Sequence, residues 1–195
     1  MKIKLLVVII SVFSVLSFGQ TKKVEYEVGL KKDFTAFFEN IKEKNIENAI
    51  GFMYPKYVSA VSREQVFRVL TLSYNNPAFM TDIQDFKIIR TETPEQIDGE
   101  YFSITDFSFT MKFKADWKVI HDPETAKQKI GESLIEMYGK DHVVYFSKED
   151  YYLINTRMKA CGVSRDLKSW KFLLIEKART AELKTILPKN IMDKL

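Results

Sequence analysis

The sequence predicts an α+β fold in which N-terminal helices pack on a strongly curved antiparallel sheet, with one further helix inserted between strands. Three observations predict it. Apolar residues recur with helical spacing through the first third of the chain, alternate with strand spacing from about Asp82, and return to helical spacing between Asp122 and Tyr138.

Thr21 to Leu30 is a polar, mixed leader, and the helical period starts after Asp33, whose carboxylate suits an N-cap. Phe34, Phe37, Phe38 and Ile41 lie at i, i+3, i+4 and i+7 on one face of this helix, which ends near Asn45. A second short helix, from about Ile46 to Met53, stops at Pro55, because a proline drives the preceding residue out of the helical region. Ser62-Arg63-Glu64-Gln65 is a capping-box pattern that restarts the helix, and Val66, Phe67, Leu70 and Tyr74 carry it to the Asn75-Asn76-Pro77 break.

Phe86, Ile88 and Arg90 begin a strand that runs to a turn around Pro94 and Gly99. In the next strand, Tyr101 to Lys114, Phe102 and Ile104 share one phase while Phe107, Phe109, Met111 and Phe113 share the other. Such a slip is what a β-bulge near Asp106 produces, and it predicts a bent strand rather than a straight one buried on both faces. Asp122-Pro123-Glu124 starts the inserted helix, with Ala126, Ile130, Leu134 and Tyr138 on one face and Gly139 as its stop. Two strands joined by the polar turn Gly162 to Ser169 finish the sheet. Tyr152, Ile154, Thr156, Met158 and Ala160 mark the first, and Trp170, Phe172 and Leu174 the second, as antiparallel neighbours. Thr180 caps a last helix with Leu183, Ile186 and Leu187, ended by Pro188.

Residues 1–19 have the form of a secretory signal peptide. Lys2 and Lys4 give a positive head, Leu5 to Phe18 is apolar, and Ser17 and Gly19 are small residues at a cleavage site. The run is short of the roughly 20 residues a membrane span needs, so no stable span is expected once it is removed. Residues 20–32 are then a polar leader and residues 33–195 a single domain, exported to the periplasm or the medium. Net charge is +4 for the whole chain and falls to +2 when Lys2 and Lys4 leave, with both signs scattered, which argues against nucleic acid as a partner. The one cysteine, Cys161, excludes an internal disulfide and is expected to be a free buried thiol. Fifteen Phe, nine Tyr and two Trp supply the area for a packed globular core.

Helices first, then long antiparallel strands with a late tryptophan-bearing strand and a short helix, resemble the cone-shaped superfamily of nuclear transport factor 2 and ketosteroid isomerase. The residues that carry the resemblance are Phe34-x-x-Phe37-Phe38, Asn48-Ala49-Ile50 leading to Tyr54-Pro55-Lys56-Tyr57, and Trp170-Lys171-Phe172. It spans about Lys31 to Leu187 and implies a cone for residues 33–195 with helices covering one face of the sheet; the helix at Asp122 departs from the commonest pattern. This fold hosts enzymes, transport factors and interaction domains alike.

His121-Asp122 and Asp141-His142 invite a metal reading, but a helix between them separates the pairs by roughly 24 Å at about 1.5 Å per residue, so no metal site is expected. Isomerase chemistry needs a carboxylate base and a proton donor converging in an apolar cavity. Glu176, in phase with Trp170, Phe172 and Leu174, and Asp106, at the phase slip, are the candidates. No nucleophile elbow or phosphate loop occurs, and no cofactor is expected. The leading expectation is an exported non-enzymatic domain that binds a small apolar molecule or a protein partner through the concave sheet face, with Tyr54, Tyr57, Phe109, Trp170 and Phe172 as binding residues. The alternatives are an isomerase- or hydratase-like enzyme, and a structural homodimer formed through the outer sheet face.

Overall fold

The computed structural model describes residues 25–176 and 180–195. The expected signal peptide and the first residues of the expected leader lie outside them. In chain order the elements are α1 (residues 25–42), α2 (Ile46–Gly51), α3 (Pro55–Val61), α4 (Arg63–Tyr74), β1 (Phe79–Thr91), β2 (Glu95–Ile97), β3 (Glu100–Ala115), α5 (Pro123–Tyr138), β4 (Val143–Phe146), β5 (Tyr151–Ser164), β6 (Lys171–Ile175), α6 (Thr180–Ile186) and α7 (Lys189–Met192). The fold is α+β.

Phe34, Phe37, Phe38 and Ile41 are all buried, as their spacing predicts, and Tyr26 and Leu30 extend the same face by two turns. The helix therefore does not begin at Asp33. Residues 25–32 read as leader because they are rich in charge, yet they are helical and point that charge to solvent, with Lys31 paired to Glu27 at 3.5 Å. Asp33 lies inside α1, where its carboxylate accepts the backbone N–H of Trp170 at 2.8 Å.

α2 ends at Gly51, and Pro55 opens a helix instead of closing one: it stands in the first turn of α3, where its missing N–H leaves no bond unmade. α4 starts as predicted, Ser62 Oγ accepting from the Gln65 N–H at 3.2 Å. Asp122 likewise caps α5 through the Thr125 N–H at 3.4 Å, and Leu134 is buried with Ala126, Ile130 and Tyr138 half-buried on its inner face.

The six strands form one antiparallel sheet. At its centre β3 and β5 pair without a break from Tyr101 opposite Ser164 to Phe113 opposite Tyr152. β1 and β2 flank β3 at opposite ends, and β4 and β6 flank β5 in the same way. β1 does not pair with β4, so the sheet is open. The short strand β4 follows α5 and has no counterpart in the sequence reading, which ended the sheet with two strands.

β3 corrects a second expectation. Its register against β5 runs straight through Asp106, and the irregularities fall in β1, between Gln84 and Lys87 and between Ile88 and Arg90. The phase slip arises because the two faces are buried by different helices at different heights. Phe107, Phe109 and Met111 join the core formed with α1 and Leu134 of α5. Phe102 and Ile104, pointing the other way, join Ile46, Ile50, Tyr57, Val66, Leu183 and Ile191 from α2, α3, α4, α6 and α7. Helices thus cover both faces rather than one. The chain changes face at Phe52-Met53-Tyr54, which lies along β6: the Tyr54 N–H donates to the Phe172 carbonyl at 2.9 Å and the Phe172 N–H to the Phe52 carbonyl at 2.7 Å.

Phe34 is the hub of the first core. Phe38, Phe86 and Phe107 meet its ring edge-on with centroids 5.3, 5.6 and 5.1 Å away, and Phe172 lies tilted at 4.6 Å. Edge-to-face pairs of this kind add about 0.5–1.5 kcal/mol each beyond area burial.

α1 approaches the β5–β6 turn so closely that a Cβ at Gly29 would stand 2.6 Å from the Lys168 carbonyl oxygen. Gly29→Ala is therefore expected to destabilise the fold, despite the ~1 kcal/mol alanine gains over glycine inside a helix. Urea unfolding reads the sign, and a raised midpoint would contradict the packing. Burial also pushes the Cys161 thiol up to about 12, so a thiol reagent is expected to leave the native protein unlabelled and to react only after unfolding.

Candidate functional site

The residues expected to line one concave site are divided between the two cores. Phe109, Trp170 and Phe172 belong to the α1 side, at 4%, 1% and 1% exposure, whereas Tyr54 and Tyr57 belong to the other, at 2% and 3%. They share no open space. The room beside Phe172 is taken by Phe34 and by Phe37, whose ring stacks at 6.3 Å, and Trp170 Nε1 donates to the Leu167 carbonyl at 3.3 Å within its own hairpin.

The two carboxylates stand apart as well. Asp106 is opposite Arg90 in register, and the Arg90 Nε donates to its Oδ2 at 3.1 Å, on the face away from α1. Glu176, half-buried just past β6, lies on the apolar side with Tyr74 and Tyr138. Burial pushes the Tyr74 phenol up to about 12, and the charge of Glu176 adds to this; the Tyr138 phenol is raised by burial first, then by Tyr74 and Glu176. Both hydroxyls stay protonated at neutral pH and available as donors. His121 and His142 flank the intact α5, with His142 Nδ1 2.8 Å from the Asn155 carbonyl oxygen. No group of three metal-ligating His, Cys, Asp or Glu side chains occurs among the described residues.

Sequence reasoning missed Glu100. It follows the Asp98-Gly99 turn, where φ values of 50° and 79° meet the needs of a tight hairpin, and its side chain is 10% exposed. Glu100 Oε2 accepts from the Tyr54 hydroxyl at 2.8 Å and from Lys56 Nζ at 2.9 Å, and Oε1 accepts from Arg165 Nε at 3.3 Å. Burial alone would raise its pKa, but the bonds from Lys56, Tyr54 and Arg165 outweigh burial and hold the carboxyl below its ordinary value. The available signal was a charge in phase with Phe102 and Ile104. With both oxygens engaged, Glu100 fastens α3 to β3 and to the loop after β5.

Open space lies instead at the margin of the α1 side, between α1 and the edge strand β1. A groove of about 570 Å³ runs there, within the roughly 300–1,000 Å³ usual for small-molecule sites. Phe38 and Phe86 form its floor, their rings stacked at 4.2 Å and 18°, together with Ile83 and Ile88. Lys31, Lys42 and Lys87 stand at its rim against Glu39 and Asp85. Lys42 is within 3.9 Å of Glu39, and Lys31 is paired outside the groove with Glu27. The groove owes its shape to the first irregularity of β1, where Asp85 takes φ 52° and Phe86 turns inward onto Phe38. A smaller recess of about 280 Å³ separates α2 from α4.

No family model, curated protein or solved structure matches this chain. Function is therefore read from the chemistry of the groups themselves.

Glu100 sets a pH signature. Because its folded pKa lies below the ordinary value of 4.5, its stabilisation is fully present above that value and is lost as pH falls through the folded pKa. Glu100→Ala is expected to cost about 2–3 kcal/mol near neutrality, since it strands a buried hydroxyl and removes the counter-charge of two cations. Urea unfolding of both proteins across pH is the check: the difference between them shrinks in acid if charge holds the node, and a pH-independent difference would exclude that.

Proposed function

We propose that this chain is an exported, non-enzymatic binding module that takes a small apolar ligand with an anionic end in the groove between α1 and β1. The observation that carries the reading is the groove itself, a stacked Phe38–Phe86 floor beneath a rim bearing Lys31, Lys42 and Lys87. The floor removes apolar ligand area from water at about 25 cal/mol per Å². The lysines supply charge-assisted hydrogen bonds to a carboxylate or sulfonate, roughly twice as strong as neutral ones. The site lies beside the expected concave centre rather than in it, because the phenylalanines of α1 occupy that centre. Export rests on the positive head, apolar run and small-residue cleavage pattern of residues 1–19. The cone of the nuclear transport factor 2 and ketosteroid isomerase superfamily belongs to the same reading; helices preceding a long, open antiparallel sheet support it.

A second reading is favoured by Glu176, whose charge reaches two protonated phenols on an apolar face, the composition of an isomerase-type proton-transfer site. The two readings separate by mutation, because Glu176→Gln would abolish such chemistry and leave the groove intact.

Native mass spectrometry of the exported protein is expected to give the mass of residues 20–195; retention of the first nineteen residues would refute export. Titration with anilinonaphthalene sulfonate, an apolar aromatic dye with one anionic group, tests the groove. Thr35→Trp, which fills it from the exposed side of α1, and Lys42→Glu are each expected to weaken dye binding by about tenfold, ~1.4 kcal/mol. Undiminished binding by Thr35→Trp would place the dye elsewhere.

A further inference from the structure

Helices cover only part of the second sheet face, the part nearest β2 and β6. Beyond Asp106 the outward positions of β1, β3, β5 and β4 have no described element over them. Lys87, Lys112, Lys114 and Arg157 are all exposed there, and none of them makes an ion pair with a described residue. The strand positions of this region contribute two acids: Asp82, which faces Lys112 in register and accepts from the Gln84 side chain, and Asp85, exposed in the irregularity of β1 beside Lys87. In the row above, Asp106 is paired with Arg90, and the Lys159 ammonium donates to the Lys194 carbonyl at 2.9 Å.

An apolar strip borders these cations. Val144 is opposite Leu153 and Phe146 opposite Tyr151, the last two rings stacked at 4.9 Å and 10°. The Lys112 Nζ lies 5.7 Å from the Tyr151 ring centroid, which joins the strip to the cationic rows.

We infer that this bare part of the sheet docks an extended acidic polypeptide segment of a partner protein. Its carboxylates would meet Lys112, Lys114 and Arg157, and a neighbouring apolar side chain would rest on Tyr151 and Phe146. The spacing fits. Same-face residues on a strand are about 6.8 Å apart, so Lys112 and Lys114 match alternate carboxylates of another extended chain. Ser108, between Lys87 and Arg157 in register, places those two cations on either side of β3 at about 4.8 Å per strand. Charge also selects against a second copy of this chain, because a two-fold contact through this face would set the same four cations against each other. The surface adjoins the groove at Lys87, but its contacts are assigned to Lys112, Lys114 and Arg157, none of which lines the groove.

The test is fluorescence anisotropy of labelled poly-glutamate titrated with the exported protein at low and at raised salt. Saturable binding that weakens with salt is expected. Lys112→Glu/Arg157→Glu is expected to lose at least about tenfold in affinity, while Lys32→Glu/Lys129→Glu, the same charge change at exposed positions of α1 and α5, stays within about twofold. Lys112→Gln/Arg157→Gln, expected to weaken binding in the same direction, serves if the reversal variant does not fold. Equal losses in the two charge-reversal variants, or none in the first, would overturn the inference. Binding to phosphatidylserine vesicles but not to poly-glutamate would also overturn it and assign the face to a membrane surface.

Discussion

The structure depends on burying both sides of the β3–β5 ladder. An antiparallel sheet commonly leaves one face in water and reads as a clean alternation, whereas a strand covered on both faces needs apolar or fully satisfied residues at consecutive positions. Phe102, Ser103 and Ile104 are buried in succession, the Ser103 hydroxyl donating to the Glu92 carbonyl at 2.6 Å. Once two faces must be covered, one amphipathic helix is not enough. The chain needs a place where it can pass from one side to the other without leaving backbone groups unpaired, and the margin of β6 is that place.

β6 therefore gathers the N-terminal helices around a strand formed late in the sequence. Asp33 in α1 receives the Trp170 N–H, the extended segment before α3 exchanges two backbone bonds with Phe172, and Glu100 ties Tyr54 and Lys56 to the start of β3. The contacts to Trp170 and Phe172 join residues more than a hundred positions apart and those to Glu100 more than forty, so the helices are held by non-local bonds that form only when the sheet is complete. Such topology slows folding, because loop closure must precede the contacts that reward it. It also explains why short helices such as α2 and α3 persist: their few turns are marginal alone and are stabilised by tertiary packing.

What was legible in the sequence follows from which signals are local. The Phe34-to-Ile41 face and the Ser62 and Asp122 caps are encoded within a few residues and form where their patterns lie, whereas the turn expected from Gly162 to Ser169 is shorter, because Gly162 to Ser164 belong to β5. The early part of α1 was obscured because charge on the solvent side of a helix has the same composition as a leader; only Tyr26 and Leu30 continue the apolar face. The phase change in β3 had two physical causes that one strand cannot separate, a bulge or two different covers, and the deciding fact lay in the pairing partner. Glu100 was hidden for the same reason, since its three donors come from two distant segments, Tyr54 and Lys56 from one and Arg165 from the other. The aromatic residues singled out as binding groups are all buried, and sequence alone does not tell a lined pocket from a filled one.

Filling the interior moves the openings to the margins. Phe38 is both a core residue and the floor of the groove, so the helix that closes the centre of the sheet also builds the wall of the space beside it. The irregularities of β1 serve this arrangement twice, since they bend the strand at the groove and interrupt an edge that would otherwise invite strand addition. A near-balanced composition then conceals a polarised surface. Acids such as Glu100 and Asp106 are consumed in ion pairs within the fold, while Lys87, Lys112, Lys114 and Arg157 remain on one sheet face without a described counter-ion. Net charge measures the sum of these groups; recognition depends on where the fold leaves the unpaired ones.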